Sequence, residues 1–134
     1  MTFDLTITTA DEIEAERQDS LRAAVTAEAQ RRITLGATFA IDGTGDIPVR
    51  GGMTDQINLI ALAETARDLI AANDTTTTLP YRDAANTIHQ LTPTQVLQLV
   101  RAGKLRVSAI YAASWALKDG ASVPEDYADD SNWP

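Results

Sequence analysis

The sequence predicts an α+β domain in which helices and hairpins alternate, helix-hairpin-helix-hairpin-helix, with a small antiparallel sheet covered by helices. Three observations carry this. Apolar residues recur at steps of three and four over long segments, and at every second position over short segments between them. Turn residues, Asp42-Gly43-Thr44-Gly45-Asp46 and Asp83-Ala84-Ala85-Asn86, divide each short-period region in two. Thr92-Pro93-Thr94-Gln95 then brings together an N-cap threonine, a proline at the first helical position and a glutamine at the third. The stretch from Leu79 to Leu117, a hairpin running into that sharply started helix, is the strongest structural signal in the chain.

In order, residues 1–9 carry an alternating Phe3, Leu5 and Ile7, which reads equally as an arm able to add to a sheet edge or to a neighbouring subunit and as a frayed terminus. Thr9 and Glu12 have the spacing of a capping box, so the first helix should run from about Ala10 to Leu35, where Gly36 stops it. Its stripe of Ile13, Leu21, Val25, Ala29 and Ile33 is narrow and its first turns are polar, so that end should project from the core. Residues 37–49 read as the first hairpin, with Pro48 placing its strand at an edge. Thr54 is the expected N-cap of a second helix reaching about Ala72. Ile57 and Ile60 widen its apolar face, which predicts that this helix is the most buried. The second hairpin pairs Leu79–Arg82 with residues 87–91. The third helix then presents Val96, Val100, Gly103, Val107, Ile110, Ser114 and Leu117 as a packing seam, with Gly103 admitting a close neighbour. The domain thus spans residues 10–120, and residues 121–134 form an acidic tail without a helical stripe.

A chain of 134 residues fits one domain, able to bury about two-thirds of the surface its unfolded form exposes. There is no cysteine, hence neither a disulfide nor a thiolate metal site. No run approaches the ~18 apolar residues a membrane span needs, and the first residues are acidic where a signal peptide is basic. A protein made in the cytoplasm, with no membrane partner, is the expectation. The net charge of −8 argues against nucleic acid as well. Arg31 with Arg32, and Arg101 with Lys104 and Arg106, are the basic clusters, read as partners for carboxylates within the chain or across an interface.

Reactive constellations are sparse. Asp42, Thr44 and Asp46 alternate like the opening of a calcium loop, but the closing position falls on Met53, so a plain turn is the better reading and no metal is expected. His89 is the single histidine. With Tyr81 and Asp83 it could sketch an acid-base group, although a histidine alternating along a strand is more often structural. No catalytic residue and no cofactor are therefore assigned. Tyr111 and Trp115, four apart on the third helix, form an aromatic ridge that fits either core packing or a protein contact. Tyr127 and Trp133 in the acidic tail point more strongly to a contact, because an unstructured segment offers aromatics nothing to pack on. The candidate interface is thus Tyr111, Trp115, Tyr127, Trp133 and Phe3.

Ala29-Gln30-Arg31-Arg32 leading through Gly36 to Phe39, Pro80-Tyr81-Arg82-Asp83-Ala84-Ala85-Asn86 leading to Leu91-Thr92-Pro93-Thr94-Gln95, and Ala112-Ala113-Ser114-Trp115-Ala116-Leu117-Lys118 resemble a phage family. That family is domain of unknown function four-three-seven-six, found in tailed phages beside or fused to tail-fibre and fibre-assembly proteins. The resemblance covers about Glu28 to Gly120, and Thr44 and Gly45 expand the usual first turn. Its motifs are packing and turn residues, so it carries over no catalytic role. It implies a non-enzymatic tail accessory protein, contacting tail or tail-fibre proteins in the host cytoplasm during assembly and then in the virion tail. The alternatives are a fibre-assembly chaperone absent from the virion, a small host-directed enzyme or inhibitor acting through His89, Tyr81 and Asp83, and a homo-oligomer built on the first helix or the third-helix seam.

Overall fold

A computed structural model describes residues 9–134. The elements follow the expected order: α1 (Ala10–Leu35), β1 (Ala37–Ile41), β2 (Gly45–Val49), α2 (Met53–Ala71), β3 (Leu79–Arg82), β4 (Ile88–Leu91) and α3 (Pro93–Asp119), then a 3₁₀ turn, Asp130–Asn132. Both expected capping boxes form. The Thr9 hydroxyl accepts from the Glu12 amide at 3.2 Å, and the Thr92 hydroxyl from the Gln95 amide at 3.2 Å, with each side chain at the third position bonded back to the cap. The start of α2 differs from expectation. Gly52, not Thr54, is its N-cap, and no side chain closes that end.

The hairpins do not merge into one sheet. β1 pairs with β2 and β3 with β4, giving two separate antiparallel ribbons. They meet turn to edge, where the Ala84 amide donates to the Pro48 carbonyl at 2.9 Å. Pro48 has no N–H to extend a ladder from β2, which explains why pairing stops there. The α+β class is unaffected, but the single covered sheet becomes two ribbons.

Each ribbon needs helical cover, and α3 links everything. Its first half packs with Ile41, Ile47, Val49, Ala63, Ala66 and Leu91 through Val96, Leu99 and Val100. Its second half packs against α1, where Val25, Ala29 and Ile33 meet Ile110. The molecule therefore has two apolar cores strung along one helix. Between them, the end of α1 lies against the end of β2. A Cβ on Gly36 would sit 1.8 Å from the Val49 carbonyl oxygen, and one on Gly51 would sit 1.9 Å from that of Ile33. Gly36 also adopts φ 77, which favours glycine. This backbone-to-backbone approach fixes α1 to the first hairpin. The first turns of α1 are exposed, as their polarity predicts.

Two expectations about the helices are corrected. α3, not α2, is the most buried: α2 hides only Ala63 and Ala66 fully, while Ile57 and Ile60 are more than half exposed. The reason is that α2 packs chiefly on α3, and among the described residues no other element makes a comparable contact with it. Gly103 meets no close neighbour either, since a Cβ there would have nothing within 4 Å.

The acidic tail is folded onto the protein. Val123 and Trp133 join the α1–α3 core, with Tyr127 packed against it. Arg32 organises this closure. Its guanidinium pairs with Glu28 at 2.9 Å and with Asp130 at 2.8 Å, donates to the Ala128 carbonyl at 3.0 Å and lies 5.2 Å from the centre of the Trp133 ring. The Trp133 indole N–H donates to the Tyr127 carbonyl at 2.7 Å, so its one polar atom is satisfied as the ring is buried. Arg17 reaches Glu125, and the Gln18 side-chain oxygen accepts from the Val123 amide at 2.7 Å.

Candidate protein-contact site

The gap between the two cores opens to the surface as an apolar groove of about 410 Å³. Ile33, Phe39, Val49, Val100 and Val107 are among the side chains lining it, with Leu59 and Ile60 contributed by α2. It exists because α1 and α2 both pack on α3 yet diverge around its middle, where Gly103 supplies no side chain to fill the space. Arg50, Lys104 and Arg106 stand at the groove, and its lining includes no acidic residue. In a chain of net charge −8, that concentration of cations is local. The Arg106 guanidinium donates to the Arg32 carbonyl at 3.1 Å, and burial pulls its pKa below the usual arginine value. Lys104 is exposed. Among the described residues, Arg50, Arg101, Lys104 and Arg106 make no ion pair with a carboxylate, in contrast with Arg31 and Arg32, which pair with Glu28.

Tyr111 forms one end of the groove, where the Gln30 amide donates to its hydroxyl at 3.3 Å. Trp115 stacks on it one turn further along, ring centres 6.1 Å apart and planes 19° from parallel. The pair is 37% and 56% exposed, so this ridge continues the groove and is not core. Met53, Ile57 and Ile60 give α2 a second exposed apolar row at steps of four and three.

The sequence-predicted interface residues therefore separate. Tyr111 and Trp115 lie together on the open face. Trp133 is buried at 8% exposure and Tyr127 is half-buried, both inside the tail closure, so neither is a free anchor. The correction has a physical cause: Arg32 and the α1–α3 surface supply the packing partners that the tail lacks by itself. Phe3 lies outside the described residues. Met53 and Arg50 carry no contact signal in the sequence, whereas Lys104 and Arg106 belong to a basic cluster that the sequence reads as partners for carboxylates within the chain or across an interface. For Ile57 and Ile60 the sequence carries the signal as an apolar face wider than one packing partner needs, a pattern that periodicity alone equates with burial.

His89 and Asp83 do meet, Nε2 to Oδ2 at 2.7 Å. Asp83 also accepts from the amides of Ala85 at 2.8 Å and Thr87 at 3.0 Å. The His89 hydrogen bond and these two amides hold the Asp83 carboxyl below the usual carboxylate range. This is the geometry of a clamped hairpin turn, in which Asn86 takes φ 63. Tyr81, opposite His89 in the register, has its hydroxyl pKa raised by burial, with Asp55 and Asp83 adding to the shift. It lines a separate, smaller hollow of about 270 Å³ with Asp55 and Arg82. Among the described residues, no cluster of three or more histidine, aspartate or glutamate side chains is placed to hold a metal ion, and no helix is long and apolar enough to cross a membrane.

Residues 16–132 match the family described as Domain of unknown function (DUF4376). The chain belongs to that family. The DUF4376 match takes in the hairpin core, the α1–α3 core except Trp133, the groove, the Tyr111–Trp115 ridge and the tail from Ala121 to Asn132, so that much of the tail is part of the family's domain. No curated protein and no solved structure matches the chain.

Proposed function

We propose that the protein is a bacteriophage tail accessory protein, a small distal-tail or tail-fibre-associated virion component that acts through protein contacts and without catalysis. The observation that carries this reading is the open apolar groove running into the Tyr111–Trp115 ridge. Aromatic residues beside an apolar depression are the usual composition of a binding hot spot. The phage setting comes from the resemblance, whose members accompany tail-fibre genes. Around His89, the hydrogen bonds of Asp83 are taken up in holding the turn, which supports a structural role for that pair.

Mass spectrometry of purified virions tests the reading. A virion component gives its peptides at a constant ratio to the tail proteins. Peptides absent from particles, together with recovery of fibre proteins in a pull-down, would assign the chain as an assembly chaperone. Neither particle association nor a fibre partner would overturn the proposal.

A further inference from the structure

The groove has a specific chemistry. Its floor is aliphatic and aromatic, its charged lining residues are all basic, and among the described residues β1 beside it pairs only with β2. An occupant matched to these features has apolar side chains at every second position, so that it can lie along a strand edge, and carries carboxylates. This chain contains such a segment. Phe3, Leu5 and Ile7 alternate, Asp4 lies among them, and Asp11, Glu12, Glu14 and Glu16 follow on the exposed start of α1 with no basic residue before Arg17.

The segment cannot reach the groove of its own molecule. Gln30, which bonds Tyr111 at the near end of the groove, is 21 residues along α1 from Thr9, about 32 Å at the helical rise. Phe3 lies six positions before Thr9, and fully extended those six steps span at most about 22 Å. We propose that the groove receives the N-terminal segment of a second copy of this chain, with Phe3, Leu5 and Ile7 against the apolar floor and the acidic start of α1 facing Arg50, Lys104 and Arg106. A second copy can exchange segments reciprocally, each giving its own and accepting the other, which closes the assembly at a dimer. This inference goes beyond the tail reading and does not rest on it, since it concerns the purified protein alone.

The test is sedimentation equilibrium of the full chain with three variants. Native protein should self-associate, and the association should weaken as salt rises from about 0.05 to about 0.5 M. Leu5→Asp, which puts a charge at the centre of the apolar insert, and Ile60→Asp, which alters the exposed groove wall, should each weaken it by at least about tenfold. Lys104→Glu, a change at an exposed side chain, checks the groove independently should Ile60→Asp disturb the fold. The distinguishing result is complementation: mixing the Leu5→Asp and Ile60→Asp proteins leaves one intact segment and one intact groove, so association should return in the mixture. A synthetic peptide of residues 1–16 should compete with native self-association. A strict monomer at high concentration overturns the proposal, and so does a dimer that survives Leu5→Asp. Binding of an acyl anion such as laurate with no binding of the peptide overturns it too, and would assign the groove to a small amphiphile.

Discussion

The hairpin core and the α1–α3 core share one helix but are closed by different means. In the first, strand and helix aliphatics such as Ile47, Leu91, Val96 and Leu99 bury one another almost completely, and the outer face of α2 is left bare. In the second, a narrow helical interface is finished by the tail, with Trp133 as the cover and Arg32 as the fastening. One side of α3 is sealed by the chain itself and the other stays open along the groove. The difference shows that local sequence does not tell an exposed aromatic from a buried one: Trp115, on a periodic helix, is exposed, and Trp133, in a tail without an apolar period, is buried. What separates them is whether the chain supplies a surface elsewhere to receive the ring.

The largest expected effect tests whether the tail is a true part of the core. Trp133→Ala should destabilise the protein by about 3–5 kcal/mol, comparable to the ~2–5 kcal/mol expected for Leu91→Ala in the hairpin core. Urea unfolding measures both, and a cost under about 1 kcal/mol for Trp133→Ala would make the tail an appendage. Next in size is the fastening. Arg32→Ala should cost about 2 kcal/mol, because it leaves the largely buried Glu28 with one partner fewer and uncovers the Trp133 ring. Asp130→Ala should cost under about 0.5 kcal/mol, its side chain being 94% exposed. Amide exchange across residues 123–133 should rise in the first variant only.

The two capping boxes contrast a packed helix start with a projecting one. Thr92→Ala should cost about 1 kcal/mol of global stability, whereas Thr9→Ala, at the exposed end of α1, should fray that end with a change under about 0.5 kcal/mol. Acid sensitivity distinguishes the hairpin side further. The Asp83 carboxyl is held below its ordinary range, chiefly by the hydrogen bond from His89. Its contribution is therefore fully present above the unfolded carboxylate pKa of about 3.9 and lost as pH falls through the lower folded value. Glu28, lowered first by its hydrogen bond from Arg31, acts in the same direction on the other core. Asp83→Asn should flatten part of the stability loss below about pH 4 in a chemical-denaturation series. An unchanged profile would remove Asp83 from the account. The smallest stability effects belong to the open face, where Ile60→Ser and Trp115→Ser should stay within about 0.5 kcal/mol of native.

Much of the fold was legible because it is local. Both capping boxes, the glycine stop at Gly36 and the two hairpins follow from spacing within a few residues, and the boundaries of α1 and the strand pairings match the expectation closely. The rest depends on contacts far apart in the chain. Arg32 meets Asp130 across 98 positions, and nothing in either segment alone predicts the meeting. Trp133 follows a 3₁₀ turn and coil, which have no apolar period to read. Ile57 and Ile60 form a regular stripe whether or not a neighbour covers them, so periodicity marks the face and cannot say that it stays open. Of the contact site, the Tyr111–Trp115 ridge was visible as an i, i+4 pair. The groove was not, because it is the space left where α1 and α2 diverge along α3.

Tryptophan accessibility tests the account most directly, because the two indoles report its two sides. In the Trp133→Phe variant, the remaining Trp115 should be readily quenched by acrylamide in dilute solution and become protected when the open face is occupied, with blue-shifted emission. In the Trp115→Phe variant, Trp133 should be shielded throughout and insensitive to occupancy. Shielding of Trp115 in the isolated monomer, or ready quenching of Trp133, would contradict the assignment of one sealed and one open side.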